Sequence, residues 1–590
     1  MSEIIVGRYH GRYLAARDQQ FVLLAAPTGA DKGVGLVLPN LLNYPGSVVV
    51  FDLKLENFYY TSLFRQRHGQ AVYLWAPFAE DGRSHRWNML DAVARDALCR
   101  VGDILAIAQC FWPGDCHPKE KYWNDNARNL FLALVLYVME TPELPFTPGE
   151  VYRQSSGAGK PIRNHIEDIL ASRRAGSRPL SPECVDAFNR FLSASSEAVG
   201  NIISTFNAPL LIFANPIVDA ATSASDFDLR QVRRQPMSIY LGIPPHRLSD
   251  AGVLANIFFS QLIDLNTREL PERDATLRHE CALFLDELAA IGKIAILPKS
   301  NFYIRAYGLR LLSSMQSLAQ LIPRYGEAEA RTLIIDHTVQ IVYPPADQGE
   351  AEEYSKLLGY LTELRSSTSQ SSAAGGASRT VSRAEHARAL MLPQELRLMP
   401  RHRQIVFARY CRPILCDKAR YYEDYRFIAR LKALSPTLAR LDHQGWRRLV
   451  PGAPRWASVL PRQHELQRAA FELRELSIEV PAIAPAPTSQ RPASQAHPAP
   501  PPSSAACTTA AAATEAPRAS LRLPAFRDAA QPTVAEADAV VDAFFAQLAL
   551  FHAVAAQEAA APAPDRSTPA AAPPRQDPAG HGLDLSKLDH

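Results

Sequence analysis

The sequence predicts an α/β protein: a mostly parallel sheet, interrupted by an all-α insertion and followed by a low-complexity tail. Three observations predict it. Continuous apolar runs of strand length recur near the beginning and in the middle of the chain, as in buried parallel strands. Helical periodicity dominates the stretch between them. Past about residue 480, large apolar residues give way to alanine and proline.

The first predicted strand is FVLLAA at residues 21–26, which leads into a glycine-containing loop and then a helix from Val34. Mostly helical or polar stretches separate the later runs, as expected for crossover connections. Those runs lie at residues 47–51, 71–75, 237–243, 282–285, 309–315, 339–343 and 405–408.

Helices are predicted from about residue 93 for more than a hundred residues, among them one over 124–140 and one over 185–206. Residues 366–382 are rich in serine, glycine and alanine, which predicts a flexible surface loop. In the tail, apolar spacing after a capping-box pair predicts a short amphipathic helix over 534–558. That helix either docks on a partner or folds back on the main domain.

Composition sets further bounds on the class of protein. The 590 residues, 47% of them apolar, suffice for two or three domains. The net charge of +3, from 63 basic and 60 acidic residues, excludes a histone-like polyanion binder, so any nucleic-acid surface must be local. No run reaches the roughly 18 to 20 consecutive apolar residues of a membrane span, so we expect no transmembrane segment in this chain.

The segment APTGADKG at residues 26–33 is a candidate phosphate-binding loop because it follows a strand and opens a helix. In such a loop a lysine, here Lys32, reaches the β- and γ-phosphates, and glycines such as Gly29 permit close backbone approach. Asp31 stands where a glycine is usual. Its carboxylate is expected to repel a triphosphate, so Asp31→Gly should raise ATP affinity.

A second candidate element is ALFLDE, an apolar strand that ends in two carboxylates. Beside a phosphate-binding loop, Asp286 would hold the water shell of Mg²⁺ and Glu287 would orient and deprotonate the attacking water. Gln316 follows the next strand and either senses the γ-phosphate or caps the edge of the core. Arg388 is either an arginine finger toward a neighbouring subunit or a solvated charge.

Residues 157–160 read GAGK but follow a polar stretch and precede a proline. This segment lacks the strand and the helix that a phosphate-binding loop requires. We therefore predict an ordinary loop there.

The chain resembles the coupling proteins of type IV secretion and conjugation, the TraG/TraD type of conjugative DNA-transfer ATPase. The resemblance covers roughly residues 5–430 and rests on six ordered blocks. They are APTGADKGVGLVLPNLLNYPGSVVVFDLKLEN, AVYLWAPFAEDGRSHRWNMLD, LFLDELAAIGK, SSMQSLAQLIPRYGEAEARTL, HTVQIVYPPADQGEAEEYSKLLG and KARYYEDYRF.

The resemblance implies a RecA-like P-loop NTPase domain, here 1–94 with 207–440, and an all-α substrate-docking domain at 95–206. A C-terminal extension at 441–480 and the tail at 481–590 would complete the chain. It also implies binding of ATP and Mg²⁺ and assembly as a homo-hexamer. By that similarity the phosphate-binding residues are Thr28, Gly29, Ala30, Lys32 and Gly33, the magnesium residue is Asp286, and the hydrolysis residues are Glu287 and Gln316.

The family's partners are single-stranded DNA with its relaxase or effector proteins, and inner-membrane components of the secretion system. We therefore expect a place at the cytoplasmic face of the bacterial inner membrane. The family's N-terminal membrane-spanning segment is not recognisable in this sequence, which fits a truncated paralogue, a misplaced start or a subunit held by partners. Two functions remain open: an ATP-driven translocase, or a substrate receptor that Asp31 has left unable to hydrolyse ATP.

Overall fold

The structure is a computed structural model that describes residues 3–17, 21–114, 117–373, 376–434, 439–449 and 476–477. The remaining residues include most of the predicted C-terminal extension, the whole tail and the predicted helix at 534–558. Those predictions lie outside the described residues.

The strands follow the apolar runs of the sequence, with additional strands at the beginning and end of the sheet. They are β1 Ile4–Tyr9, β2 Arg12–Ala16, β3 Val22–Ala25, β4 Ser47–Asp52, β5 Ala71–Trp75, β6 Met237–Gly242, β7 Cys281–Leu285, β8 Leu309–Met315, β9 Val339–Val342, β10 Tyr360–Ala373, β11 Gly376–Ala389, β12 Arg403–Ala408 and β13 Ile414–Asp417.

The helix after the candidate phosphate-binding loop opens with a π-helical turn, Gly33–Val37, and continues as α1. The α-helices are α1 Leu38–Leu41, α2 Glu56–Arg67, α3 Arg100–Phe111, α4 Pro118–Met139, α5 Pro148–Ser155, α6 Ile162–Ala175, α7 Pro182–Leu192, α8 Ser196–Leu210, α9 Pro216–Ala221, α10 Leu248–Asn266, α11 Leu288–Ile291, α12 Leu297–Ile304, α13 Ile322–Asp336, α14 Gln348–Leu358, α15 Pro393–Arg397, α16 Tyr425–Leu431 and α17 His443–Leu449.

An eleven-stranded sheet organises the chain in the order β2-β1-β13-β12-β9-β3-β8-β7-β4-β6-β5. The strands from β9 to β5 in that order are parallel. The strands β12, β13, β1 and β2 add an antiparallel edge beyond β9. The predicted α/β class with a mostly parallel sheet is confirmed.

Both faces of the parallel part are covered, which explains why its strands are continuously apolar. All residues of β3, β6, β7 and β8 are buried. Along β4, Val49 and Phe51 enter a core shared with the helical insertion, whereas Val48 and Val50 enter the core on the opposite face. The insertion therefore shares one core with one face of the sheet.

The helical insertion lies between β5 and β6, and its α-helices run from Arg100 to Ala221. The helix predicted over 124–140 is α4, which begins earlier, at Pro118. The single helix predicted over 185–206 is wrong, because two helices, α7 and α8, meet there. Ser195 separates them: its side-chain oxygen accepts a hydrogen bond from the Ala198 N–H and caps a new helix.

Residues 366–382 do not form the predicted flexible loop. They belong to the two-stranded antiparallel hairpin β10–β11, whose pairing runs from Tyr360 opposite Ala389 to Ala373 opposite Gly376. The backbone of residues 360–373 is paired with that of residues 376–389 throughout. Serine, threonine and alanine predominate in both strands, and this small-residue composition hid the pairing.

Two described helical stretches are long and apolar enough to cross a membrane by length and composition, Ser196–Ala214 and Pro245–Asn266. Each also places side chains in the hydrophobic core, including Phe206 and Phe258. Length and composition are therefore weak evidence for a membrane span.

Candidate functional site

Three parallel strands end side by side at the candidate site. Ala25 of β3 lies opposite Met315 of β8, and Ser313 of β8 lies opposite Leu285 of β7. Parallel strands place their carboxyl ends at the same edge of a sheet, where α/β proteins bind ligands. The loop after β3, the two carboxylates after β7 and Gln316 after β8 therefore meet at one edge.

The loop after β3 is open to solvent at its tip and half-buried where it enters the helix. Thr28 and Gly29 are exposed, and residues 30–33 are half-buried. Gly29 has φ 73° and Asp31 has φ 67°, both in the left-handed region. Glycine adopts that conformation without strain, whereas an aspartate there costs about 1 kcal/mol. Lys32 is already helical at φ −52° and opens the helix, as a phosphate-binding lysine does.

The two separated motifs meet through a salt bridge. Lys32 Nζ donates to Glu287 Oε2, and the side chains of both residues are mostly buried. The predicted convergence of the lysine with the carboxylate pair is therefore present in the structure. The contact places a cation and a candidate base at the mouth of one phosphate-binding loop.

Strand β8 orients the carboxylate pair at the end of β7. Ser314 Oγ donates to Asp286 Oδ1 at 2.7 Å, and the Glu287 N–H donates to Ser314 Oγ at 3.3 Å. Glu287 has φ 68°, a left-handed conformation that is unusual for a residue with a side chain. The turn after β7 is thus held by its neighbouring strand.

Gln316 connects β8 to the phosphate-binding loop. Thr28 Oγ1 donates to Gln316 Oε1 at 2.8 Å. A neutral amide in contact with the loop is suitably placed to respond to a ligand bound there.

Asp31 is accompanied by two arginines that are distant in the sequence, Arg401 and Arg420. Its carboxylate lies 3.1 Å from Arg420 Nη2 and 3.5 Å from Arg401 Nη2. The sequence predicts only repulsion by this carboxylate, because an ion pair between residues so distant in sequence leaves no local signal. The structure adds two guanidinium groups beside it.

The same C-terminal segment holds the backbone of the loop. Arg401 Nη2 donates to the Gly29 carbonyl at 2.6 Å, and Lys418 Nζ donates to the Ala30 carbonyl at 2.9 Å. Lys418 is 1% exposed and lies 3.7 Å from the centre of the Tyr343 ring. Burial lowers the pKa of Lys418 to about 8.

Sequence reasoning missed Lys418, Arg420 and Arg401 as residues of the site. The signal available was the block KARYYEDYRF, which contains Lys418 and Arg420 and immediately follows strand β13. No sequence rule connects that block to the loop at residues 26–33.

A further carboxyl group lies at the same edge of the sheet. Asp52 ends β4, the neighbour of β7, is 2% exposed and accepts a hydrogen bond from the Phe58 N–H at 2.8 Å. Burial is the main cause that raises the pKa of Asp52 to about 7, and the negative charge of Asp286 adds to it.

A cavity of about 750 Å³ adjoins the loop. Its walls include Thr28 and Ala30 from the loop, Pro345 after β9, and the side chains of Arg397 and Arg401. Its size is in the range of sites for small organic ligands.

Arg388 lies on β11 rather than in the loop's immediate surroundings. Its guanidinium lies 2.7 Å from Glu395 Oε1 and 3.6 Å from Glu363 Oε1. Within this chain the structure therefore gives Arg388 two carboxylate partners and does not bring it to the phosphate-binding loop. A finger toward a neighbouring subunit remains a prediction.

The GAGK segment forms a short 3₁₀ turn, Gly157–Gly159, within the helical insertion. Lys160 is exposed and forms an ion pair with Asp168 at 2.6 Å. The predicted turn is found there, and helix α5 rather than a strand precedes it. The predicted absence of a following helix is wrong, because α6 begins at Ile162 with Pro161 as its N-cap.

Among the residues that the structure describes, no group of three or more His, Cys, Asp or Glu side chains could hold a metal ion. Mg²⁺ in phosphate-transfer sites commonly takes one or two protein oxygens, the rest coming from water and phosphate. The carboxylate of Asp286, held by Ser314, fits that role.

The chain is similar in sequence to known transfer proteins. Protein VirD4 of Agrobacterium fabrum is 30% identical over 433 residues, which cover 72% of this chain and 62% of the relative. The conjugal transfer protein TraG of Escherichia coli is 28% identical over 411 residues, covering 67% and 64%. The chain thus spans about three fifths of the length of the curated relatives it matches.

A solved structure of the bacterial conjugative coupling protein TrwBdeltaN70, in an unbound form, aligns with a TM-score of 0.51 at 18% identity. The alignment covers 70% of this chain and 88% of that one, and it confirms the RecA-like fold. A family model described as Type IV secretory system Conjugative DNA transfer matches residues 2–442. This chain therefore belongs to the type IV secretion coupling proteins of the TraG/TraD family, whose role is in conjugative DNA transfer.

Proposed function

We propose that the chain is an ATP-driven motor that recruits relaxase-bound single-stranded DNA or an effector protein and moves it toward a type IV secretion channel. The observation that carries the proposal is the contact between Lys32 and Glu287. It joins the lysine of a strand–loop–helix phosphate site to the carboxylate pair after β7, although the two are far apart in sequence.

ATP binding would use the loop as the structure presents it. The loop leads into a helix that begins at Gly33 with Lys32 as its N-cap, and the backbone donors and dipole at a helix N-terminus favour anions. Lys32 supplies the cation for the β- and γ-phosphates. The adjoining cavity is large enough for the rest of the nucleotide.

Asp286 would hold Mg²⁺, through water, together with phosphate oxygens from the nucleotide. When bound, this ion neutralises charge that develops on the phosphates. Ser314 fixes the carboxylate of Asp286 in place through its 2.7 Å hydrogen bond.

Glu287 is the residue that would take a proton from the attacking water. Before ATP arrives, its carboxylate is paired with Lys32. A triphosphate competes for the Lys32 ammonium group, which frees Glu287 to orient and deprotonate water. Gln316 contacts Thr28 in the loop and would report phosphate occupancy to β8.

The remaining features of the motor follow from family membership and are part of the proposal. They include a homo-hexameric ring, substrate docking on the helical domain predicted at 95–206, and inner-membrane components of the secretion system as partners. They also place the chain at the cytoplasmic face of the bacterial inner membrane.

The test is the rate of ATP hydrolysis by the purified chain, with and without single-stranded DNA. Glu287→Gln should lower kcat by at least about 100-fold while ATP binding persists, because the substitution removes the base but keeps the side-chain shape. Glu143→Gln is the matched control, since Glu143 is an exposed glutamate of the helical insertion that is paired with Arg178.

Equal hydrolysis by Glu287→Gln and the unchanged chain would contradict the motor. ATP binding without hydrolysis by the unchanged chain would favour the alternative of a substrate receptor unable to hydrolyse ATP.

A further inference from the structure

The negative charge of Asp31 disfavours nucleotide binding, and two neighbouring arginines offset that charge. A carboxylate in a phosphate-binding loop repels the phosphates unless its charge is offset. The inference below rests on the proposed function, since it concerns the same nucleotide site.

Arg420 is the better held of the two arginines that face Asp31. Its side chain is 13% exposed, whereas that of Arg401 is 71% exposed. Arg420 Nη1 is also fixed by Glu423 Oε1 at 3.2 Å, and Nη2 donates to the Arg401 carbonyl at 3.3 Å. A partly buried, multiply bonded guanidinium is screened less by salt than an exposed one.

The Asp31–Arg420 pair belongs to a wider attachment of the loop. Three consecutive loop residues are each contacted by a cation that lies just before β12 or just after β13. The contacts are Gly29 to Arg401, Ala30 to Lys418, and Asp31 to both Arg401 and Arg420. Asp31 is the member of the three that takes part through its side chain.

We propose that Arg420 is a positioning residue for nucleotide binding: it neutralises Asp31 and, through it, fixes the phosphate-binding loop in a form that accepts a triphosphate. The pair substitutes for the glycine that is usual at this position. Without Arg420, Asp31 keeps only the exposed Arg401 as a direct ion-pair partner, and its carboxylate repels the phosphates more strongly. Without both Arg420 and the Asp31 carboxylate, that repulsion disappears.

The test is a double-substitution cycle on the purified chain with Mg²⁺, read by titration of a fluorescent ATP analogue and by competition with ATP, ADP and AMP. Arg420→Gln should weaken ATP binding by at least about tenfold. Arg420→Gln combined with Asp31→Asn should return within about threefold of the unchanged chain, and so should Arg420→Lys, which keeps the charge.

Comparing the affinities for ATP, ADP and AMP distinguishes an effect of charge from a structural effect. Repulsion by Asp31 grows with the number of phosphate charges, so the loss in Arg420→Gln should be larger for ATP than for ADP and least for AMP. A merely structural loosening of the loop would weaken the three nucleotides alike. Arg426→Gln is the matched control, because Arg426 lies near Arg420 in sequence but forms its ion pair with Asp424.

The outcomes separate this inference from the proposed function. Arg420→Gln with the same loss whether or not Asp31→Asn is present would overturn the inference alone, as would a loss independent of phosphate number. If the unchanged chain binds none of the nucleotides, the proposed function and the inference both fall. Thermal unfolding of each variant checks that the chain remains folded.

Discussion

The chain contains two short glycine-containing segments that end in or include a lysine, at residues 26–33 and 157–160. In the first, Lys32 follows a buried parallel strand, opens a helix and contacts a carboxylate from another part of the sheet. In the second, Lys160 follows a 3₁₀ turn and pairs with an exposed aspartate eight residues away in the sequence. A helix follows both segments, so the two differ in the preceding strand and in the long-range partner, and these features rather than the motif letters favour a phosphate site at the first.

The largest expected effect tests this comparison directly. Lys32→Ala should weaken binding of a fluorescent ATP analogue by at least about 100-fold, because the phosphates lose their charged donor in a half-buried site. Lys160→Ala should leave the affinity within about twofold. A comparable loss in both variants would mean that the two lysines are not distinguished by their surroundings.

A smaller effect is expected at the residue that links the loop to β8. Gln316→Ala should lower kcat about tenfold and change ATP affinity less than about threefold, since Gln316 is placed to act on hydrolysis rather than on binding. Steady-state hydrolysis together with ATP titration measures both quantities. Gln154→Ala is the control, because Gln154 hydrogen-bonds Glu150 close to the second segment. A Gln316→Ala variant with unchanged kcat would identify this glutamine as a cap at the edge of the core.

The smallest expected effect is a dependence of ATP affinity on pH, which should come from Lys418 beside the first segment and not from Lys160 in the second. The pKa of Lys418 is lowered by burial to about 8, so raising the pH from 7 to 9 removes a positive charge beside Ala30 and Asp31. ATP affinity should then fall by about threefold, and Lys418→Met should abolish that part of the pH dependence. Lys160→Met should not change it.

Lys418 should also make the free energy of unfolding depend on pH, but this quantity should rise with pH whereas ATP affinity falls. The unfolded chain protonates Lys418 with an ordinary pKa of about 10.4, so between pH 8 and that value the unfolded state binds more protons. The contribution of Lys418 to the free energy of unfolding therefore rises with pH in that window. Denaturant unfolding of the unchanged chain and of Lys418→Met, at pH 7 and pH 9, measures it; a contribution that falls with pH would contradict the buried, charged lysine.

The parallel half of the fold could be predicted from the sequence because its strands are buried on both faces. The runs at β3, β4, β7 and β8 were found within a few residues, and they position Lys32, Asp286, Glu287 and Gln316 at one edge. The antiparallel edge of the sheet was harder to predict from the sequence. Strand β2, RYLAA, is partly exposed, and β13 is a four-residue strand, so neither produces a long apolar run.

The contacts of Asp31 could not have been predicted from local pattern. They depend on β13 returning beside β1 and β12, which brings Arg420 next to a loop that lies almost four hundred residues earlier in the sequence. Composition also misled at β10 and β11, where small polar residues concealed a paired hairpin. In both cases tertiary pairing decided what local propensity left open.

The left-handed backbone at Glu287 has a consequence for what this position can tolerate. A residue with a side chain holds φ 68° there at a cost of about 1 kcal/mol, which a glycine would not incur. A glycine would relieve this backbone strain, yet it would also remove the carboxylate that pairs with Lys32 and is proposed to activate water. At position 287, the backbone conformation favours glycine, whereas the proposed hydrolysis requires a carboxylate. The chain has glutamate there, at the cost of the backbone strain.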